Sequence, residues 1–154
     1  MIYLTRSEAE TMRFASALAG MLDAGDTVLL EGDLGAGKSV MARGVARALG
    51  IAGAMPSPTF TLLIPYEGAK KLYHFDLYRL ADPDEFYAAG LDEFIGGDGI
   101  ALVEWPQMAE LSVEPSLEIT LSRGEGDDDR VIEIRNCGVR GFDAGALEKW
   151  RVQA

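Results

Sequence analysis

Gly32-Asp33-Leu34-Gly35-Ala36-Gly37-Lys38-Ser39 fulfils the pattern G-x-x-x-x-G-K-S/T, and the segments on either side are the ones that pattern requires. Before it, Thr27-Val28-Leu29-Leu30-Glu31 is an apolar run of strand length; after it, residues 38–49 read as a helix. A strand, a glycine-rich turn and a helix in that order form a cradle for phosphate. The glycines let successive backbone N–H groups turn inward, so the peptide units of Asp33, Leu34, Gly35, Ala36 and Gly37 are expected to surround the ligand. The following helix aims its positive end at the same charge. Lys38 then reaches the outer phosphates of a nucleoside triphosphate, and the Ser39 hydroxyl is placed to ligate Mg2+.

Outward from this loop, Ile2-Tyr3-Leu4 reads as a short strand. Thr5-Arg6-Ser7-Glu8 has capping-box spacing, which starts a helix turning Phe14, Leu18, Met21 and Leu22 inward. Residues 61–66 and 72–78 are strand-like runs joined by the polar connection Glu67-Gly68-Ala69-Lys70-Lys71, an antiparallel hairpin. Asp82-Pro83-Asp84-Glu85 opens a short helix over residues 86–89 that Gly90 closes. Ile100-Ala101-Leu102-Val103-Glu104 is a continuous apolar run, the pattern of a strand buried on both faces beside the loop strand. Residues 117–121 and 131–134 read as two edge strands around the acidic turn 124–129, with a final helix from about Asp143. Without repeat or linker, the expectation is a single compact domain over residues 1–154. Its class is α/β, P-loop NTPase-like, with a mixed central sheet flanked by helices.

A chain of 154 residues buries one core and has no room for a separate substrate domain, so chemistry beyond the nucleotide calls for a partner. Twenty-five acidic against 14 basic residues repel polyphosphate backbones, which disfavours stable direct nucleic-acid binding. The single Cys137 allows no internal disulfide, and one Cys with one His makes no ordinary zinc site. No apolar stretch approaches the roughly 20 residues that cross a bilayer. A soluble, cytoplasmic protein is expected.

Hydrolysis or transfer needs acids as well as a cradle. Asp76 ends Leu72-Tyr73-His74-Phe75-Asp76 and Glu104 ends the 100–104 run, each placed like the strand-terminal acid of a Walker B element. Ligands of such folds sit beyond the carboxyl ends of the parallel strands, which brings Glu104 near Ser39. Which of the two acids touches the metal stays open at this stage. Thr59, in the stiff loop Pro56-Ser57-Pro58-Thr59-Phe60, is placed to offer its hydroxyl to Mg2+ or the terminal phosphate. Trp105 either stacks on a base or anchors a partner near the nucleotide mouth, or packs in the core. His74 reads as a satisfied strand histidine, and Arg79 and Arg130 as surface groups before charge stabilisers.

Four blocks in order, 32–39, then Ser57-Pro58-Thr59-Phe60-Thr61-Leu62, Tyr73-His74-Phe75-Asp76-Leu77-Tyr78-Arg79-Leu80 and Val103-Glu104-Trp105-Pro106, resemble the TsaE family. That family is the bacterial ATPase of tRNA threonylcarbamoyladenosine biosynthesis. The resemblance implies a compact α/β ATPase that takes ATP and Mg2+ and joins TsaB and TsaD. It would support threonylcarbamoyl transfer to the adenosine beside the anticodon, meeting tRNA indirectly while the partner performs the transfer. It also implies Lys38 on the phosphates, Ser39 on the metal where the family usually has Thr, Glu104 as a further magnesium or water-positioning ligand, and Asp76 as the Walker B-type acid. By the same similarity, Ser7 and Glu8 lie against the adenine.

Three other classes share the loop. A P-loop small-molecule kinase needs an acceptor pocket and usually an arginine-bearing lid; no arginine-rich insertion is present. A GTPase usually carries Asn-Lys-x-Asp, whereas Asn136 precedes Cys137. A module that binds nucleotide without hydrolysing it would have no use for Asp76 and Glu104.

Overall fold

Thr27–Glu31 (β2) emerges as the central strand of the computed structural model, paired in parallel on both sides. The structure describes residues 1–152 except 54, 57, 59, 60, 112 and 113, and the side chains of Asn136 and Cys137 lie outside the description. In chain order the remaining elements are Ile2–Thr5 (β1), Glu8–Ala19 (α1), Lys38–Ala48 (α2), Leu63–Tyr66 (β3), Leu72–Asp76 (β4), Pro83–Ala88 (α3), Ile100–Glu104 (β5), Leu117–Arg123 (β6) and Arg130–Cys137 (β7). Short 3-10 helices span Leu91–Phe94, Pro106–Ala109 and Ala144–Trp150. The seven strands lie in the order β1-β7-β6-β2-β5-β4-β3, parallel over β6-β2-β5-β4 and antiparallel at both flanks. This is the mixed, P-loop NTPase-like sheet expected, with helices on its faces.

The sheet's two faces carry different loads. Partnered residues share a face, so Val28, Leu30, Leu72, Ile100, Leu102, Leu117 and Ile119 all turn toward α1 and α2, which close over them with Phe14, Leu18, Met41 and Val45. Each such side chain contributes about 1.5–3 kcal/mol on burial. The opposite face is covered over β2, β5 and β4, where Phe75, Ala101 and Val103 meet Phe86 of α3 and Ala109. Because His74, Asp76 and Glu104 stand on the first face, they point under α2. Residue spacing of two thus places all three beside Lys38 and Ser39.

Four expectations need correction. The capping box sits two residues later than read. Ser7 is the N-cap, its hydroxyl accepting from Glu10 N–H at 3.1 Å while Glu10 accepts from Arg6 N–H at 3.0 Å. Thr5 is still held extended by pairing with Arg130, and its buried hydroxyl lies 2.6 Å from that of Thr11. The helix stops at Ala19, so Met21 and Leu22 enter the core from the turn behind it. β6 and β7 are interior strands; β1 and β3 form the edges. Their alternation of Ile119, Leu121, Ile132 and Ile134 with Glu118, Thr120, Glu133 and Arg135 reflects one uncovered sheet face, which a sequence pattern cannot tell from an edge. The final segment is a 3-10 helix capped by Asp143, docked through Trp150, whose ring centre is 5.5 Å from that of Phe14. Among the described residues, no helix is long and apolar enough to cross a membrane.

Candidate functional site

Gly32 leaves β2 with φ 153°, and a methyl built there would meet the Leu121 carbonyl oxygen at 2.6 Å, so only glycine lets the chain turn this close to β6. Five residues further on, Gly37 caps α2 without any side-chain hydrogen bond. The first N–H groups of α2 therefore keep their donor capacity for something outside the helix. Lys38, the first residue of α2, turns its side chain back over the loop, where Nζ donates to the carbonyls of Gly32 and Asp33.

Above the carboxyl ends of β2, β4 and β5 opens a cavity of about 500 Å3. The loop contributes Leu34, Gly35, Gly37, Lys38 and Ser39 to its wall, and the strand ends contribute Asp76, Glu104 and Trp105. Asp76 and Glu104 are direct neighbours in the β4–β5 ladder. Among the described residues, the buried Lys, His, Asp and Glu side chains are Lys38, His74, Asp76 and Glu104, and all four gather here. Burial pushes the Lys38 ammonium below the usual lysine value, and the negative charges of Glu104, Asp76 and Asp33 pull it back up.

Trp105 adopts left-handed backbone angles, φ 56° and ψ 49°, which for a non-glycine residue costs roughly 1–2 kcal/mol. That turn brings its indole to the cavity, with the Lys38 ammonium 4.0 Å from the ring centre and the Tyr78 ring at 4.9 Å. The ring also rests against the second core. Trp105 thus lines the cavity and packs partly against the core, so the core-packing reading holds in part. Strain of this kind is maintained where the surroundings over-determine a geometry.

The other predicted residues are distributed as follows. The Asp33 carbonyl accepts from Ala36 N–H at 3.1 Å, while the Ala36 methyl enters the core, so neither side chain lines the cavity. Glu8 lies at a smaller adjoining space of about 40 Å3 that shares Gly37, Val40 and Arg130 with the large one, and it pairs with Arg43 at 3.1 Å. Thr59 falls outside the described residues. Arg79 and Arg130, read first as surface groups, both line the cavity. The Arg130 guanidinium donates to the carbonyls of Asp127 and Asp129 at 2.9 and 2.8 Å, and a methyl on Gly37 would touch its Nε at 3.4 Å.

Sequence reading missed Arg123. Its guanidinium nitrogen would lie 2.7 Å from a methyl on Gly35, so it too presses on the loop. The signal was the register of β6 beside β2: Thr120 opposes Glu31, and three residues later the chain stands level with the loop. Treating β6 as an edge strand concealed it.

Chemically, the wall offers one ammonium, two guanidinium groups, backbone donors, and an oxygen set that includes the Ser39 hydroxyl and two carboxylates. That set fits Mg2+, which is held by one or two carboxylates together with phosphate and water. Among the described residues, no three His, Cys, Asp or Glu side chains cluster into a metal cage of their own. Ser39 and Glu104 also line a second cavity of about 130 Å3 behind the first, with Arg43, Met55, Pro56 and His74.

The family model described as "Threonylcarbamoyl adenosine biosynthesis protein TsaE" matches residues 5–132. The Bacillus subtilis tRNA threonylcarbamoyladenosine biosynthesis protein TsaE is 41% identical over 138 residues, covering 88% of this chain and 85% of its own. The Treponema pallidum protein of the same name is 37% identical over 132 residues, covering 85% and 97%. Among solved structures, that of Bacillus subtilis YdiB superposes with a TM-score of 0.76 at 36% identity, over 97% of this chain and 92% of that one. Fold, loop and relatives agree: this chain belongs to the TsaE family of threonylcarbamoyl adenosine biosynthesis proteins.

Proposed function

We propose that, within tRNA threonylcarbamoyladenosine biosynthesis, this chain is the subunit that binds and hydrolyses ATP with Mg2+, working in the cytoplasm alongside TsaB and TsaD. The observation that carries the proposal is the gathering of the buried Lys, Asp and Glu side chains at the uncapped start of α2. Burying charged side chains costs several kcal/mol, about the scale of a domain's whole stability, so such a cluster calls for an occupant that uses it. A triphosphate does. The N–H groups of the loop and of the first turn of α2 bind its oxygens, and Lys38 swings from the Gly32 and Asp33 carbonyls to the outer phosphates. When bound, Mg2+ neutralises phosphate charge and makes the terminal phosphorus more susceptible to water. Ser39 and one or both of Asp76 and Glu104 hold that ion, and Glu104 orients the attacking water. Arg79 and Arg130 stand where they can offset charge on the departing phosphate. Trp105 screens Lys38 from solvent.

Threonylcarbamoyl transfer itself belongs to the partner, and tRNA is met indirectly, in keeping with a net charge of −11. The test is a reconstitution of this chain with TsaB, TsaD, tRNA and ATP, scored for modified adenosine over many rounds. Lys38→Ala is expected to stop multi-round turnover; undiminished turnover would overturn the role. Labelled phosphate arriving on an added metabolite faster than in water would favour the kinase alternative.

A further inference from the structure

His74 is the one histidine of the chain, and it lies inside the sheet's covered face, 4% exposed. In the β4–β5 ladder it opposes Leu102, one pleat below the Asp76–Glu104 pair and on the same face. From there its Nε2 reaches diagonally to Glu104 Oε2 at 2.6 Å, both groups being buried. Its Nδ1 finds no hydrogen-bond partner among the described residues.

Stability alone does not account for a histidine at this position. One hydrogen bond to a charged group is worth about 1.5–3 kcal/mol, and one buried unsatisfied nitrogen costs about 1–3 kcal/mol, so the two nearly cancel. What the imidazole adds is direction. A carboxylate oxygen accepts, so the bond is made by a hydrogen on Nε2. With Oε2 committed to that donor, the rotation of the Glu104 carboxylate is restricted, and this same residue lines both cavities.

We propose that His74 is the positioning residue for Glu104, fixing through its Nε2–H the carboxylate orientation that hydrolysis requires. The role rests on the proposed hydrolysis at this site. It is the arrangement by which ligating or water-orienting carboxylates are held by an outer hydrogen-bond partner, whose loss costs about 10- to 100-fold in activity or metal affinity.

Two measurements test it. In ring-nitrogen NMR of the unliganded wild-type chain, the single imidazole is expected to carry a hydrogen on Nε2. An Nδ1–H tautomer, or a mixture of the two, would overturn the assignment whether or not the protein hydrolyses ATP. In single-turnover assays, His74→Leu is expected to keep its Kd for Mg2+–nucleotide within about threefold while hydrolysis slows about 10- to 100-fold. His74→Gln, whose amide nitrogen can stand in for Nε2, should recover most of the lost rate. A His74→Leu rate within about twofold of wild type, or a His74→Gln as slow as His74→Leu, refutes the positioning role. A wild-type chain that binds no Mg2+–nucleotide refutes the proposed function instead, and the tautomer still judges the geometry. Should His74→Leu not fold, His74→Gln and the wild-type spectrum decide.

Discussion

At the amino ends of β4 and β5, Lys71 meets Asp98 at 3.0 Å and Glu67 at 3.7 Å, and Tyr73 donates to Asp98 at 2.6 Å. Lys70 pairs with Asp23 at 2.8 Å beside them. These charged groups stand in solvent, each beside an opposite charge. At the carboxyl ends of the same strands, Lys38, Asp76 and Glu104 are all less than a tenth exposed, next to a tryptophan in a costly backbone conformation. Exposed pairs cost little and contribute little. Buried charges cost much, and in the function proposed above what they stabilise is a bound ligand. One sheet therefore has a maintenance end and a working end, and the difference is visible in burial before any ligand is considered.

Substitutions at the working end should affect chemistry far more than folding. Glu104→Gln is expected to slow hydrolysis about a hundred- to ten-thousandfold with nucleotide affinity largely kept, as for loss of a group acting on the attacking water. Rapid-quench phosphate release would show it; a wild-type rate would remove Glu104 from the mechanism. Lys38→Ala takes away a charge-assisted contact worth about 1.5–3 kcal/mol, or roughly 10- to 150-fold in nucleotide Kd by calorimetry. Gly32→Ala tests the frame that holds them. Its methyl would sit 2.6 Å from the backbone oxygen of Leu121, which cannot rotate away, so unfolding free energy from denaturant melts should drop by about 1–3 kcal/mol.

The working end was largely legible in the sequence because its grammar is local. The loop glycines and Lys38-Ser39 are contiguous, and Asp76 and Glu104 each end an apolar run. Strand order was not local. Placing β6 beside β2 depends on which strand covers which edge, and that is why Arg123 went unread and Arg130 was read as a surface group. The partner of His74 was hidden for the same reason, since Glu104 lies 30 positions along the chain and only the ladder register brings them together. Local propensity also lost to pairing at Thr5, where the β1–β7 ladder delays the helix until Glu8.

Smaller effects sharpen the contrast through pH. Because burial lowers the Lys38 pKa, the folded chain releases this proton more readily than the unfolded chain. The burial penalty is thus fully present below the folded pKa and is relieved as pH rises through it, so this group's contribution to stability increases with alkalinity. Bound phosphate favours the charged lysine, so nucleotide affinity should move the opposite way, falling in the same alkaline window with proton uptake on binding. Calorimetry in buffers of different ionisation enthalpy reads the uptake. Parallel slopes for stability and affinity would contradict the assignment of Lys38 to phosphate.

The smallest effect belongs to the maintenance end. The hydrogen bond from Tyr73, and then that from Lys71, hold the Asp98 carboxyl below the ordinary aspartate value. A depressed carboxylate contributes stability above its unfolded pKa and loses it as pH falls through the folded one. Asp98→Asn should therefore lower the melting temperature slightly at neutral pH and make no difference at pH values below the folded pKa, where wild-type Asp98 is already protonated. Nucleotide affinity should not change at all. Asp98 and the loop stand at opposite ends of β5, and a strand packed on both faces gives the pair at one end no second arrangement with which to signal the other. A nucleotide Kd that moved with Asp98→Asn would mean that β5 transmits between its ends, and the two ends would have to be treated as one device.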